Sequence, residues 1–476
     1  MQSIVEAVLK YALDNPAKVC LIDENVSYTY GEVAELVKSY CSYLKEEGVT
    51  KGDKVVVECT QNARFLIIDL ALELLGAVFV PVEMNVSEDR LNSILDETNS
   101  TTHFSMARIN QIEIESATLD EFDFPDGDEI AEILYTTGTT GKSKGIVLTH
   151  KNNVAVAQNI IGGTKMKADN VELIPLPISH SHGLRTCYAN FLNGSSVVIV
   201  NGVMRVKKWI KMLREYKITA LDLSPTAARA LIKVTRGNMD EFKELLDYVE
   251  IGTAALDEDL KGSLCELLPN TRLYNFYGST ESGRVSTYDF NSEKGLMSCI
   301  GYPSVNAKFV VTDEQRNPIK SSEDNMGMLA ISGPMNMKEY FMAPELTEQT
   351  LKDGYILTND IVYIDQTGKV YMVGRQGSVI NYMGIKIAPE EIESVAVKFD
   401  SIADCACVPA KDSNGFEVPK LFVVVDKNEV FDKQAFREFL RQELDSNKLP
   451  QIIEEIDEIP RAGNGKILRN KLIQIV

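Results

Sequence analysis

Apolar and polar residues follow two rhythms along this chain, one with the period of a helix and one with that of a strand. At the start, Ile4, Val5, Val8, Leu9 and Leu13 recur at helical spacing among charged residues, which predicts an amphipathic helix and not a signal peptide. Short apolar runs at 54–59, 77–82, 196–200, 220–223 and 247–251 predict strands. Between them, runs at 63–75, 90–97, 205–216, 225–234 and 257–268 predict helices. The longest apolar stretch, FLIIDLALELLGAVFVPV, carries Asp69 and Glu73 and breaks at Gly76 and Pro81. It therefore predicts a buried helix running into a strand, and not a membrane span. Strands alternating with helices predict an α/β layered architecture.

From about Met326 the pattern changes to short strands divided by Gly turns. After about Gly374 a compact α+β unit is predicted, with a helix from Pro389, strands at 403–408 and 421–425, and a helix at 432–443. The expected organisation is a large N-terminal domain of layered α/β subdomains over 1–377 and a small α+β C-terminal domain over 378–476. No tandem repeat or low-complexity segment interrupts it.

Charge narrows the classes of partner. Over 476 residues, 49 Lys and Arg face 69 Asp and Glu, a net charge of −20 that disfavours nucleic acid or an anionic membrane as the main partner. A small anion held in a local basic or amide-lined pocket stays compatible. Six of the eight cysteines lie far apart, and Cys405 and Cys407 fall on one face of a predicted strand, where they read as small buried hydrophobes. With no CxxC and only His103, His150, His180 and His182, a structural zinc site is not expected. These features predict a soluble protein of a reducing, cytoplasmic compartment. Trp209 sits on an apolar helix stripe with Ile210, Met212 and Leu213 and is expected in the core, while the charge runs at 45–47, 257–259 and 321–324 are expected on solvated faces or turns.

Candidate chemistry concentrates in ILYTTGTTGKSKG, residues 133–145. A strand feeding Thr, Gly and Lys suits phosphate binding, because glycines let backbone amides approach, hydroxyls donate, and lysines neutralise charge. A Walker A loop needs four residues between its glycines, whereas Gly138 and Gly141 are separated by two, so a P-loop is disfavoured. Taken alone, an ordinary Gly/Thr loop remains open.

This stretch resembles the signature loop of the AMP-forming acyl- and amino-acid-adenylating enzymes, the superfamily of acyl-CoA ligases, adenylation domains and luciferases. It keeps Tyr135, Thr136, Thr137, Gly138, Thr139, Thr140, Gly141, Lys144 and Gly145, with Ser143 where the family usually has Pro. Further blocks follow in the family's order. Asn275-Phe276-Tyr277-Gly278-Ser279-Thr280-Glu281 resembles the Tyr-Gly-x-Thr-Glu motif, and Gly252-Thr253-Ala254 resembles the small-residue segment against adenine. The block through Gly327, Gly333, Tyr340, Pro344, Glu345 and Thr347 also matches. Asp360 stands where the family's ribose-binding Asp lies, after Asn359 in place of Gly, and Arg375 opens the Gly-Arg block, with Ser378 at the usual Asp hinge. The loop through Gly384, Pro389 and Glu393 aligns with Met383 at a usual Gly, and Lys466 falls in the C-terminal Gly-Lys motif. The resemblance covers about residues 25–475.

The resemblance implies ATP-dependent activation of a carboxylic acid to acyl-AMP with release of pyrophosphate, followed by thioester formation with coenzyme A. Loading of a carrier protein's phosphopantetheine is the alternative, and an inactive nucleotide-binding relative a second one. It implies a mobile C-terminal lid that carries Lys466 as the catalytic lysine, with Lys144 and His180 as further catalytic candidates. ATP would meet the residues quoted from Thr136 to Gly141, Lys144, Gly252 to Ala254, Asn275 to Thr280, Asp360, Arg375 and Lys466. Mg²⁺ would lie on Glu281 and Thr136. His180, in Pro177-Ile-Ser-His-Ser-His182-Gly-Leu184, would gate an acid pocket formed with Ser181, Thr253, Gly278 and Gly283. Amino-acid activators carry an Asp where Ser181 stands, so an α-ammonium would lose its partner. The small residues suggest room for a medium or long acyl chain or an aryl acid.

Overall fold

The computed structural model describes the chain except residues 25, 115–122, 138–142, 203–204, 254–255, 377–378, 383–384, 413–416, 427–428, 462–466 and 476. It is a mixed α/β protein with a large N-terminal and a small C-terminal part. Two compact units divide it: Met1–Phe309 with Ala330–Leu357, and Val310–Leu329 with Thr358–Val476. The division thus falls before the expected 377/378 boundary, and the second unit also takes in the 310–329 stretch.

The expected elements form, with ends shifted by a residue or a few. Ala63–Leu75 is the helix predicted at 63–75, and the C-terminal strands lengthen to Ile402–Lys411 and Glu417–Val425 because they pair along most of their length. Trp209 is buried, as are Cys405 and Cys407, which point into one core with Leu421 and Val423. Asp257, in one of the acidic runs, caps a helix by accepting from the Leu260 amide. No helix among the described residues is long and apolar enough to cross a membrane.

The first unit contains two sheets. One has the order Glu339–Tyr340, Ser143–Thr149, Ile130–Thr137, Val78–Val82, Lys54–Glu58, Thr102–Phe104. The other runs parallel from Arg272–Ser279 through Tyr248–Ile251, Ala220–Leu223, Val171–Ile174 and Ser196–Ile199 to Val19–Asp23, and adds antiparallel strands beyond both ends. Parallel strands are buried on both faces, which is why these strands are largely apolar and why Glu172, Asp222 and Glu250, one in each of three of them, are buried. Ala63–Leu75 is buried on every side except at Arg64 and Leu75, and each of its Phe, Leu and Ile side chains contributes about 1.5–3 kcal/mol on leaving water.

A second buried helix, Ser181–Asn193, is tied to both sheets. On one side Arg185 pairs with Glu132 of the first sheet, and Tyr188 donates to Asp69 of the Ala63–Leu75 helix at 2.7 Å. On the other side His182, Thr186 and Asn190, spaced four residues apart, face Asp222, Glu250 and Glu172 of the second sheet. In the second unit, three strands and the helices Pro389–Ala396 and Lys433–Glu443 enclose a core of Ile392, Cys405, Cys407, Leu421, Phe436 and Leu440.

The two acidic interruptions in the long apolar stretch now have partners. Glu73 accepts from the amides of Ile4 and Val5, at 2.8 and 3.2 Å, and from His150 Nδ1 at 3.0 Å. The first turn of the N-terminal helix is thereby capped by a carboxylate distant in sequence, beside its own Ser3 cap. Replacing Glu73 by Ala strands two buried amides and His150, and is expected to cost at least about 3 kcal/mol in urea unfolding, at about 1–3 kcal/mol per stranded group.

Candidate active site

Strands Ile130–Thr137 and Ser143–Thr149 pair antiparallel on either side of the Gly/Thr motif. Gly138, Thr139, Thr140, Gly141 and Lys142 lie outside the described residues. The flanks set Thr136 directly opposite Lys144 and Thr137 opposite Ser143. Gly145 is tightly packed: a Cβ there would stand 3.0 Å from both Ile133 Cγ2 and the Phe341 Cβ. Its carbonyl accepts the Phe341 amide at 2.7 Å, so Glu339–Tyr340 joins the sheet beside Lys144.

Tyr340 is the piece for which sequence reading assigned no role. Lys144 Nζ stands 5.5 Å from the centre of its ring, and its hydroxyl donates to Glu281 Oε1 at 2.8 Å. The Met337 amide also bonds the Glu281 carbonyl at 2.7 Å. Burial, and then the adjacent carboxylate, push the Tyr340 phenol far above its ordinary pKa, so the proton stays on the tyrosine and fixes Glu281 as an acceptor. A lysine, a threonine and a carboxylate held by a tyrosine form a donor set suited to a magnesium–polyphosphate group: oxygen for the metal and cationic charge for phosphate. Glu281 and Thr136 are the residues that would hold the ion.

The turn carrying Glu281 is narrow. Ser279 Oγ lies 3.0 Å from Ser282 Oγ and accepts the Ser282 amide at 3.1 Å, which fixes the turn around Thr280 and Glu281. Gly278 and Gly283 do not open space. A Cβ on Gly278 would lie 2.1 Å from the Gly283 carbonyl oxygen, and one on Gly283 2.3 Å from Val156 Cγ2. Both glycines therefore serve close packing of the strand pair and the helix behind it.

Strand Tyr248–Ile251 leads into the small-residue segment, of which Ala254 lies outside the described residues. Ile251 pairs with Asn275 in parallel register, so Gly252 approaches Phe276. Thr253 adopts φ of 75°, a left-handed conformation costing a β-branched residue about 1–3 kcal/mol and typical of functional turns. Asn275 and Tyr277 are half-buried on the Arg272–Ser279 strand.

His180 and Ser181 open the Ser181–Asn193 helix. His180 takes the N-cap position with no side-chain cap bond, and its ring is exposed. Crowding by surrounding protein lowers its pKa, with Arg90 adding to the effect and Glu83 opposing it, so it is neutral at neutral pH. One turn inward, His182 Nε2 lies 2.5 Å from Asp222 Oδ1. Arg284 pairs with Glu250, also at 3.2 Å through Nη2, with both side chains buried. Ligand atoms of His182, Asp222 and Glu250 lie within 4.8 Å of one another, yet Arg284 already supplies the countercharge, and the cluster is an ion-pair network. Sequence reading missed this seam; its one linear trace is the spacing of His182, Thr186 and Asn190.

In the second unit, Asp360 and Arg375 stand opposite each other in an antiparallel pair and bond through Arg375 Nε to Oδ1 at 2.6 Å. Asn359 accepts from Arg316 Nη2 at 3.1 Å, a contact that Gly at this place could not make. Lys466 lies outside the described residues.

The layered α/β fold with a phosphate-type hairpin and a Tyr-held carboxylate defines a nucleotide-binding enzyme. The chain belongs to the AMP-binding enzyme family, whose sequence model matches residues 9–341, and the AMP-binding enzyme C-terminal domain matches residues 391–466. It is 28% identical to 4-coumarate–CoA ligase 3 of Arabidopsis thaliana over 96% of this chain and 88% of that protein. To the peroxisomal OPC-8:0-CoA ligase 1 of the same plant it is 26% identical, covering 96% and 90%. Among solved structures, o-succinylbenzoate CoA synthetase (MenE) of Bacillus subtilis with an acyl-adenylate superposes with a TM-score of 0.87, 22% identity and coverage of 98% and 97%. ATP-bound MatB from Rhodopseudomonas palustris gives 0.86 at 22%, covering 100% and 98%. At such identity the structures speak for the fold.

Two outcomes follow from these contacts. Tyr340→Phe removes the bond that orients Glu281 and is expected to raise the half-saturating Mg²⁺ concentration for nucleotide turnover about tenfold, the effect of one hydrogen bond to a charged group. Glu172 is a separate matter: burial, then the Glu250 and Asp222 carboxylates, push it well above the carboxylate range. The folded chain keeps this proton at neutral pH, while the unfolded chain releases it, so this group makes stability fall as pH rises above the ordinary Glu value. Glu172→Gln, which preserves an acceptor for Asn190, is expected to stabilise the protein at pH 8 more than at pH 5 in parallel denaturant titrations.

Proposed function

We propose that this protein is a carboxylate–CoA ligase of the AMP-forming type. The observation that carries the reading is the Lys144–Tyr340–Glu281 cluster beside the Gly/Thr hairpin; the CoA ligases among its relatives support it. In the first step a carboxylate oxygen attacks the α-phosphorus of ATP; the new O–P bond forms as the bond to pyrophosphate breaks. Both reactants are anions, so the barrier falls when positive charge and donors are fixed where negative charge grows. Lys144 would neutralise the departing phosphates, and Mg²⁺ on Glu281 and Thr136 would supply further neutralisation. Under this reading Lys466 contacts the α-phosphate and the attacking carboxylate, and Asp360 and Arg375 hold the ribose. In the second step the CoA sulfur attacks the acyl carbon, the thiol proton leaves, and AMP departs.

The lid of this reading is the C-terminal segment 378–476, turning at Ser378 between the two steps. His180, neutral at the mouth of the Ser181–Asn193 helix, would gate the acid site. The eight cysteines are all free, which supports a reducing compartment such as the cytoplasm.

The test is pyrophosphate release across a panel of carboxylic acids, with and without CoA, for the wild type and Lys466→Ala. Release sustained only with CoA, together with a loss of at least about a hundredfold in the variant, is the expected result. Equal activity in variant and wild type would falsify the assignment. Brisk ATP–pyrophosphate exchange untouched by CoA would make a carrier protein the acceptor.

A further inference from the structure

The small residues around the acid site promised room that the folded chain has already filled, and the filler is Phe276. Its ring lies where a Cβ on Gly252 would stand, 2.1 Å from the ring's Cζ. The Arg284 guanidinium lies over the ring, 3.6 Å from its centre, and His182 meets it edge-on at 4.7 Å with an interplanar angle of 88°. Arg284 is anchored by Glu250 and His182 by Asp222. A ring bounded by backbone, a cation and a second ring has little freedom to swing aside.

Position and surroundings assign this ring to the acid and not to the nucleotide. On a strand, Asn275 and Tyr277 project to the face opposite Phe276. Phe276 instead shares its side with Gly252, next to Thr253, and with His182, two residues from His180. Of these flanking residues, Thr253 and His180 are the ones expected to surround the substrate's carbon chain, whereas Gly252 and Phe276 were expected against ATP. Beyond the ring stand Arg284, Glu250, Asp222 and His182, all but His182 fully buried. An alkyl chain entering on this side would first have to displace the ring from its contacts with Arg284 and His182.

We propose that Phe276 closes the far end of the acid site and restricts the enzyme to short carboxylic acids, against the medium-chain, long-chain or aryl acids that the sequence alone left open. This rests on the acid-activating reading above and names its substrate class.

The experiment measures kcat/KM for pyrophosphate release and thioester formation with acetate, propionate, butyrate, octanoate, palmitate and 4-coumarate, in the wild type, Phe276→Ala and Phe276→Leu. The wild type is expected to favour butyrate or a shorter acid over octanoate and 4-coumarate by at least about a hundredfold, the scale on which a closed pocket rejects excess carbon. Phe276→Ala is expected to gain at least about tenfold on octanoate or 4-coumarate and to lose on acetate, with KM for ATP unchanged. Phe276→Leu shortens the plug with less disturbance and should shift preference the same way if Phe276→Ala does not fold. Wild-type turnover of octanoate, palmitate or 4-coumarate on a par with butyrate would overturn the proposal while leaving the CoA-ligase reading intact. So would an unchanged preference in both variants. No turnover with any acid would overturn that reading, and this one with it.

Discussion

The first unit depends on one constraint: a helix buried between two sheets must leave none of its charges unpaired. Ser181–Asn193 carries Arg185, His182, Thr186 and Asn190 into that interior, and each meets an acidic side chain rooted in a strand. Isolated ions there would cost several kcal/mol apiece, so the pairs fix the helix in one rotation and one height between the sheets. That placement then sets His180 and Ser181 at its exposed N-terminal end. The helix end that carries His180 is held from below by the same network that holds the core.

The site is assembled by a similar economy of contacts. Lys144 and Glu281 are far apart in the chain, and a single tyrosine brings them to one place by offering its ring to one and its hydroxyl to the other. Phe276 is fixed by the seam under the helix, through Arg284 and His182. Lys144 and Tyr340 thus belong to the first sheet and Phe276 to the second, and the two groups have different partners. A change in Tyr340 and a change in Phe276 should be separable in their effects.

Much of this was legible in the linear pattern, for physical reasons. The Ala63–Leu75 helix announced itself because apolar residues flank its few charged ones on nearly every side, and Ser196–Ile199 because a strand buried on both faces needs a largely apolar run. The Gly/Thr loop and Glu281 stood out because phosphate and metal binding tie residue types to local spacing, whereas Asp360 and Arg375 were singled out only by the family resemblance. Asp69 and Glu73 were seen as interruptions, but not as partners of Tyr188 and of the N-terminal helix. Gly278 and Gly283 were read as open space and proved to be contact points of backbone and Val156. The extra 310–329 stretch of the second unit gave no linear sign, because a compact unit built from two chain segments leaves no boundary signal.

The sequence by itself determined the periodic elements, the α/β class and the residue types of a nucleotide site, since each is encoded within a few neighbouring residues. Tertiary structure alone decided which carboxylate meets which helix, what holds Glu281, and what fills the hollow beside Gly252. Those outcomes depend on distances between segments scores of residues apart. A glycine looks the same in a sequence whether its missing side chain leaves a pocket or admits a phenylalanine ring.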